Sequence, residues 1–320
     1  MSRRGDPISR REAIVIGSRA ALALGGVVLG ARQAPIAFGA PAAPLVTKPI
    51  PSSGERIAAV GVGTARRYDV GESGDERAPL REVLRDLPRL GGNVVDTAPS
   101  YGAAEAVIGD LVADLGNRQQ LFIATKVGRG RAGAAAGIAE MRGSMQRLRT
   151  ERIDLVQVHN LAGVDEMLPV LREWKRQGRI RYYGVTTSSA RQHEPLARLM
   201  QRETLDFVQV DYAIDNRAAA DRILPLAADR GIAVLTNLPF GRGRVLQAFG
   251  AQPVPDWAKE NGIATWAQFA LKYVVSHPAV TCAIPGTAQH RYLVDNLGAA
   301  REPLPDEATR KRMAALIDAA

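Results

Sequence analysis

The chain has 320 residues, 46% of them hydrophobic and 23% charged, with a net charge of +9 at neutral pH. That apolar content fills a sizeable core and excludes a disordered chain, while the length admits one large barrel or two ordinary domains. The single cysteine, Cys282, excludes an internal disulfide and a cysteine-rich metal site.

The charge is unevenly spread. Six arginines against Asp6 and Glu12 place +4 of it in residues 1–40. Elsewhere basic residues are interleaved with acids, as in Arg81-Glu82 and Arg85-Asp86, which fits a solvated mixed surface rather than a nucleic-acid-binding face. Residues 1–43 read as a leader: Ser9-Arg10-Arg11-Glu12-Ala13-Ile14 precedes a mildly apolar run, Ala20 to Leu29, and the small-residue stretch Ala37 to Ala43. This order resembles a twin-arginine export signal, although Ala13 stands where such signals usually carry Phe. The run is too short and too rich in Gly and Ala for a stable membrane span, so cleavage is expected rather than anchoring. The resemblance implies a partner in the twin-arginine export machinery and a periplasmic or secreted mature protein. An uncleaved basic tail on a cytoplasmic protein is the alternative.

From Arg56 onward short apolar runs alternate with helical stretches. Strands are expected near Ala58–Val62, Asn93–Asp96, Leu121–Lys126, Asp154–His159, Ile180–Thr186, Phe207–Asp211, Ala233–Leu238 and Cys282–Pro285. Helices are expected over Leu80–Leu90, Ala104–Leu115, Ile138–Leu148, Val164–Gln177, Pro195–Arg202, Ala218–Arg230 and Thr265–Ser276. Gly116, Gly178 and Gly231 stand where helices must turn back into strands. Alternation without a Pro-, Gly- or Ser-rich linker predicts one domain over residues 44–320, an α/β fold of the (β/α)8 TIM barrel type.

Three strand exits carry chemistry. Asp96 ends one strand and Tyr101 follows in the loop broken by Pro99 and Gly102; Lys126 ends the next strand, and His159 the one after. In a parallel barrel these exits lie side by side. An ammonium beside a phenol favours phenolate, so Lys126 is expected to pull the pKa of Tyr101 down towards the working range. Asp96 would hold Lys126, and His159 would bond a substrate carbonyl. His193, His277 and His290 have no carboxylate or cysteine at ligand spacing, so no metal site is expected.

Asp96, Tyr101, Lys126 and His159, in this order and strand context, resemble the tetrad of the aldo-keto reductase family. Val60-Gly61-Val62-Gly63-Thr64 is similar to its first-strand segment, and the likeness runs to Ile284-Pro285-Gly286-Thr287. The resemblance implies an enzyme, an NADP-dependent oxidoreductase that reduces an aldehyde or ketone, with those four residues catalytic. It also implies a cofactor site. Gly63 and Thr64 belong to it, as do Thr186 and Thr187, where the family commonly has Ser-Asn. Gln209 matches the amide that holds the nicotinamide carboxamide. Asn237, followed by Leu238, stands where many members stack a Tyr, for which Tyr212 is the nearest substitute. Gly241 and Gly243 in the Gly-Arg-Gly-Arg turn face the pyrophosphate, and Thr287 and Asn296 the adenosine end. For the 2′-phosphate, Gly286 replaces a common Lys and Tyr292 a common Arg, with Arg291 adjacent; NAD is therefore not excluded. Gly128-Arg129-Gly130-Arg131-Ala132-Gly133 fits a dinucleotide fingerprint but follows the third strand rather than the first, and reads instead as a flexible basic loop rimming the site. The altered stacking and amide positions leave a second reading open, a nucleotide-binding redox sensor or partner subunit with vestigial turnover.

Overall fold

The computed structural model describes residues 44–250 and 252–319, and the expected leader lies outside them. Strand β1 (Thr47–Pro49) pairs antiparallel with β2 (Arg56–Ala58) in a hairpin whose turn closes where the N–H groups of Ser53 and Gly54 reach the carbonyl of Ile50. The first expected strand therefore divides. Its beginning joins this hairpin, and only β3 (Val62–Gly63) enters the barrel. Gly63 has to be small there, because a Cβ would come within 2.7 Å of the carbonyl oxygen of Ile284.

Strands β4 (Val94–Asp96), β5 (Phe122–Val127), β6 (Ile153–Val158), β7 (Ile180–Thr186), β8 (Phe207–Asp211), β9 (Ala233–Asn237) and β10 (Cys282–Ala283) follow β3, each parallel to its predecessor. Closure comes from parallel bridges between Val60 and Ala283 and between Gly63 and Gly286. The N–H of Gly61 donates to Ala283 (2.8 Å) and that of Gly63 to Pro285 (2.9 Å). The sheet is thus the expected (β/α)8 barrel.

Side chains alternate in and out of the ring. Val94, Phe122, Leu155, Tyr182, Phe207 and Leu235 pack inside it together with Ile50 and Ile57, so the hairpin plugs the amino-terminal mouth. Val95, Ile123, Val156, Val208 and Val234 occupy the intervening positions and lie under the helices. Burying each such aliphatic group contributes about 1.5–3 kcal/mol.

The helices outside are α1 (Gly74–Arg89), α2 (Ala104–Leu115), α3 (Ala134–Arg147), α4 (Val164–Arg176), α5 (His193–Arg202), α6 (Ala219–Asp229), the short α7 (Arg244–Phe249) and α8 (Asp256–Glu260), then α9 (Trp266–Val275), α10 (His290–Gly298) and α11 (Glu307–Asp318). Each long helix buries a stripe, as α4 does with Met167, Leu168, Leu171 and Trp174. Gly116, Gly178 and Gly231 take left-handed φ of 63°, 73° and 64°, the helix-ending conformation expected of them. Helices α7, α8, α10 and α11 were not expected from the pattern; α11 starts on a cap in which the Thr309 N–H donates to Asp306 Oδ1 at 2.8 Å. Lys48 ties the hairpin to the end of α9, donating to the carbonyls of Val275 (2.6 Å), His277 (3.0 Å) and Val280 (2.6 Å). Burial lowers its pKa to about 8 despite those acceptors.

Candidate active site

Asp96 closes β4, Lys126 lies one residue inside the end of β5, and His159 directly follows β6. Asp96 and Lys126 continue the inward series that Val94, Phe122 and Ala124 begin, so both side chains point into the carboxyl-terminal mouth. There Lys126 Nζ donates to Asp96 Oδ1 at 2.7 Å and to the carbonyl of Thr97 at 2.9 Å. Gln209 Nε2 donates to the other carboxylate oxygen at 2.9 Å. The same ammonium lies 4.9 Å from the centre of the Tyr101 ring, and the Tyr101 and His159 rings meet edge-on with centres 6.2 Å apart. The four side chains expected to converge do so.

Lys126 is 1% exposed, so its charge depends on its neighbours. Burial opposes the ammonium, but Asp96 and then Tyr101 outweigh that and hold its pKa above the ordinary value. For Tyr101 the expectation is reversed. Burial raises the phenol pKa more than Lys126 lowers it, and Asp96 adds to the rise. Sequence spacing identified the cation but not the depth at which the phenol sits. A raised pKa keeps Tyr101 protonated at neutral pH, which is the state a proton donor needs. Burial, with Lys126 nearby, lowers His159 to about 4, leaving a neutral imidazole that hydrogen-bonds without competing as an acid.

Asp96, Tyr101 and His159 line a cavity of about 1270 Å³, larger than the roughly 300–1,000 Å³ of ordinary ligand pockets, and Lys126 stands behind Asp96. Of the expected cofactor residues, Gly63, Thr64, Thr186, Gln209, Asn237, Leu238, Gly243, Gly286 and Asn296 line it. Thr187, Gly241, Thr287 and Arg291 do not. The Thr187 hydroxyl donates to Gln192 Oε1 at 2.7 Å, and its carbonyl accepts from Asn237 Nδ2 at 2.9 Å, so it braces Asn237 from behind. Thr287 Oγ1 accepts from Asn296 Nδ2 at 3.0 Å and supports that residue in the same way. Gly241, buried at φ 56°, leaves room for the Asp215 carboxylate beneath the turn. Arg291 donates to Gln289 Oε1 and stacks 4.7 Å above the Tyr292 ring. Tyr212 is fully buried with its hydroxyl accepting from Arg310, a packing residue rather than a stacking platform.

The loop at Gly128 does not rim the site. Arg129–Ala132 forms a helical turn held by Glu140, whose carboxylate accepts from the N–H groups of Gly128 (2.7 Å) and Arg129 (2.9 Å), and it does not line the cavity. Arg244, just after the Gly241–Gly243 turn, pairs with Asp215 at 2.8 Å, while Arg242 within the turn lines the cavity. The motifs did not single out Arg66, Arg67, Phe240 or Trp266, which also line it; the Arg66-Arg67 pair beside the first-strand segment was the one available signal. The wall suits a phosphorylated nicotinamide nucleotide. It carries carboxamides, among them Asn237, whose Oδ1 is buried without a hydrogen-bond partner, and guanidinium groups.

A family model described as the aldo/keto reductase family matches residues 59–316. The chain belongs to the aldo/keto reductase family. Among relatives of this reductase, the aldo-keto reductase YhdN of Bacillus subtilis is 29% identical over 207 residues, 61% of this chain and 62% of that one. The NADH-specific methylglyoxal reductase of Escherichia coli is 26% identical over 298 residues, 81% of this chain and 87% of its own. Among solved structures, an aldo/keto reductase from Klebsiella pneumoniae in complex with NADP and acetate superposes with a TM-score of 0.70 at 25% identity, covering 82% of this chain and 92% of that one.

Proposed function

We propose that this reductase converts an aldehyde or ketone to an alcohol, reversibly, using NADP, with Tyr101 as proton donor. The observation that carries the proposal is the Asp96–Lys126–Tyr101–His159 cluster beside a cavity of about 1270 Å³. NADPH, when bound, supplies the hydride. Tyr101 gives its proton to the carbonyl oxygen as negative charge develops there, and the Lys126 ammonium, steadied by Asp96, stabilises the phenolate left behind. Neutral His159 donates a hydrogen bond that orients the same oxygen. Thr186, Gln209, which bonds Asp96, and Asn237 line the cavity and would hold the nicotinamide half; Gly243, Gly286 and Asn296 also line it and would receive phosphates and adenosine.

The relative in complex with NADP supports the choice of nucleotide, and the NADH-specific relative makes the comparison of the two necessary. The test follows loss of reduced-nicotinamide absorbance with NADPH and NADH against a panel of aldehydes and ketones. Turnover faster with NADPH is expected; no turnover with either across the panel would sink the reading.

The leader carries a second part of the proposal. Arg10-Arg11, the apolar run and the small-residue stretch fit export through the twin-arginine route, which moves folded proteins and so suits an enzyme that takes up its nucleotide first. Cell fractionation should find the enzyme in the periplasm or medium, with an Arg10→Lys, Arg11→Lys variant retained in the cytoplasm. Recovery of both forms in the cytoplasm with the leader intact would refute the export route.

A further inference from the structure

We propose that Asp69 is a positioning residue for the reaction: its carboxylate fixes the loop that carries Tyr101, and so sets where the proton donor stands relative to Lys126 and the substrate oxygen. The inference rests on Tyr101 as proton donor and adds a group, outside the tetrad, on which that donor depends.

Tyr101 lies on the segment between β4 and α2, residues 97–103. The far end of this segment has no cap of its own, because Ala103, the residue before α2, offers no side-chain oxygen to the first turn of the helix. Asp69, thirty-four residues earlier than Ala103, supplies one: its Oδ1 accepts from the Ala103 N–H at 2.9 Å. The same carboxylate packs over Gly102, where a Cβ would overlap both of its oxygens and its Cγ, and Gly102 takes a left-handed φ of 62°. Asp69 therefore touches the residue next to Tyr101 and bonds the one after that.

The near end is tied by the same stretch of chain. Thr64 donates to the Asp96 carbonyl twice, from its N–H at 3.1 Å and from its hydroxyl at 2.9 Å. Between Thr64 and Asp69 the chain is a closed turn: the N–H groups of Arg67 (3.0 Å) and Tyr68 (3.1 Å) both donate to the Thr64 carbonyl, and the Tyr68 side chain is fully buried. Residues 64–69 thus form a spacer of fixed length that grips the Tyr101 loop at Asp96 and again at Ala103. Inside the grip only short-range turn bonds act on Tyr101, its N–H to the Ala98 carbonyl (3.1 Å) and its carbonyl to the Ala104 N–H (3.2 Å).

The chemistry needs that grip. Lys126 is fixed independently by Asp96 and the Thr97 carbonyl, so when the far tie is lost it is the phenol that moves and the ammonium that stays. Tyr101 must keep its ring 4.9 Å from that ammonium and edge-on to His159 while presenting its hydroxyl to the substrate. Misplacement of a reacting group by about 1 Å can cost on the order of 10²-fold in rate. Asp69 does not line the cavity, so it acts through Tyr101 and not on substrate or nucleotide.

The test compares Asp69→Ala and Asp69→Asn in the full chain, using NADPH and the aldehyde of the panel that the unaltered enzyme reduces fastest. Asp69→Ala is expected to lower kcat about tenfold or more, with KM and the Kd for NADPH held within about twofold. Its kcat should also show a larger solvent deuterium isotope effect, because transfer of the Tyr101 proton becomes slower. Asp69→Asn keeps an oxygen that can accept from the Ala103 N–H, and should stay within about threefold of the unaltered enzyme with an unchanged isotope effect. An unchanged kcat in Asp69→Ala would overturn the inference. Equal losses in the two variants would also overturn it, since the charge and not the bond would then matter, as would KM or Kd rising in step with the fall in kcat. A loss that disappears when Asp69→Ala is assayed well below its own Tm would mark a role in stability alone and count against it too. If Tyr101→Phe retains full turnover, the proton-donor reading falls and this inference with it; if Tyr101→Phe is inactive and Asp69→Ala is not impaired, only the inference falls.

Discussion

Tyr101→Phe should lower kcat for carbonyl reduction by about 10²–10⁴-fold, the usual contribution of a positioned acid, while leaving nucleotide affinity within about twofold. The substitution removes one oxygen from a ring already fixed by its edge contact with His159 and by the ammonium below it. Isothermal titration and steady-state kinetics on the same preparation check both halves. Loss of binding along with turnover would mean that Tyr101 shapes the cavity rather than donating a proton. The pH dependence adds an independent readout. Reduction needs the phenol protonated, and burial with Asp96 holds its pKa above the ordinary 10.0 against the pull of Lys126, so reduction should stay level through neutral pH and decline only in alkali. Alcohol oxidation needs the phenolate and should climb over that alkaline range. His159, near 4, should add no titration between about pH 5 and 8. A kcat profile for reduction with a step near pH 6.5 that vanishes in His159→Asn would contradict this account.

Where the chain could be read without coordinates, the reason is local. Asp96, Lys126 and His159 each end an apolar run, and a residue at the end of a parallel strand can go only to one mouth of the barrel. The helix-ending glycines were legible for the same kind of reason, since backbone conformation selects them. What was hidden depends on distance through space. Thr47-Lys48-Pro49 is too short and polar to read as a strand, and becomes one only because Ile57 opposite Lys48 plugs the barrel. The sign of the Tyr101 shift depends on burial that spacing does not reveal. Thr187 and Thr287 stand in the right neighbourhood but do not line the cavity: the Thr187 carbonyl braces Asn237 while its hydroxyl bonds Gln192, and the Thr287 hydroxyl braces Asn296. Arg67 reaches Gly286 because the first and last strands of the sheet meet, a contact no window of sequence contains.

Behind the site, Arg147→Ala is expected to destabilise the fold by about 3 kcal/mol, because Arg147, itself part-exposed, is the cation that answers a fully buried carboxylate. Glu105, in the first turn of α2, is fully buried between α2, α3 and β5. Its Oε1 accepts from Thr125 Oγ1 at 2.5 Å, and its Oε2 accepts from Arg147 Nε at 2.8 Å and Nη2 at 2.7 Å. Without Arg147 a carboxylate stays among apolar neighbours with one hydroxyl for company. Thermal unfolding at a fixed scan rate should show Tm lowered by roughly 6–12 °C. Adding Glu105→Leu should restore most of it, because it removes the buried carboxylate that Arg147→Ala leaves without its cation. If the double variant is as unstable as Arg147→Ala, the stability comes from the arginine stem and not from the charge pair. The consequence reaches catalysis through β5. Thr125 faces this ion pair on the outside of the barrel while Lys126, the next residue, points inward to Asp96, so the Glu105 carboxylate fixes from behind the strand that presents the ammonium. In Arg147→Ala, kcat should therefore fall at temperatures below the onset of unfolding, and the double variant should recover it in step with Tm.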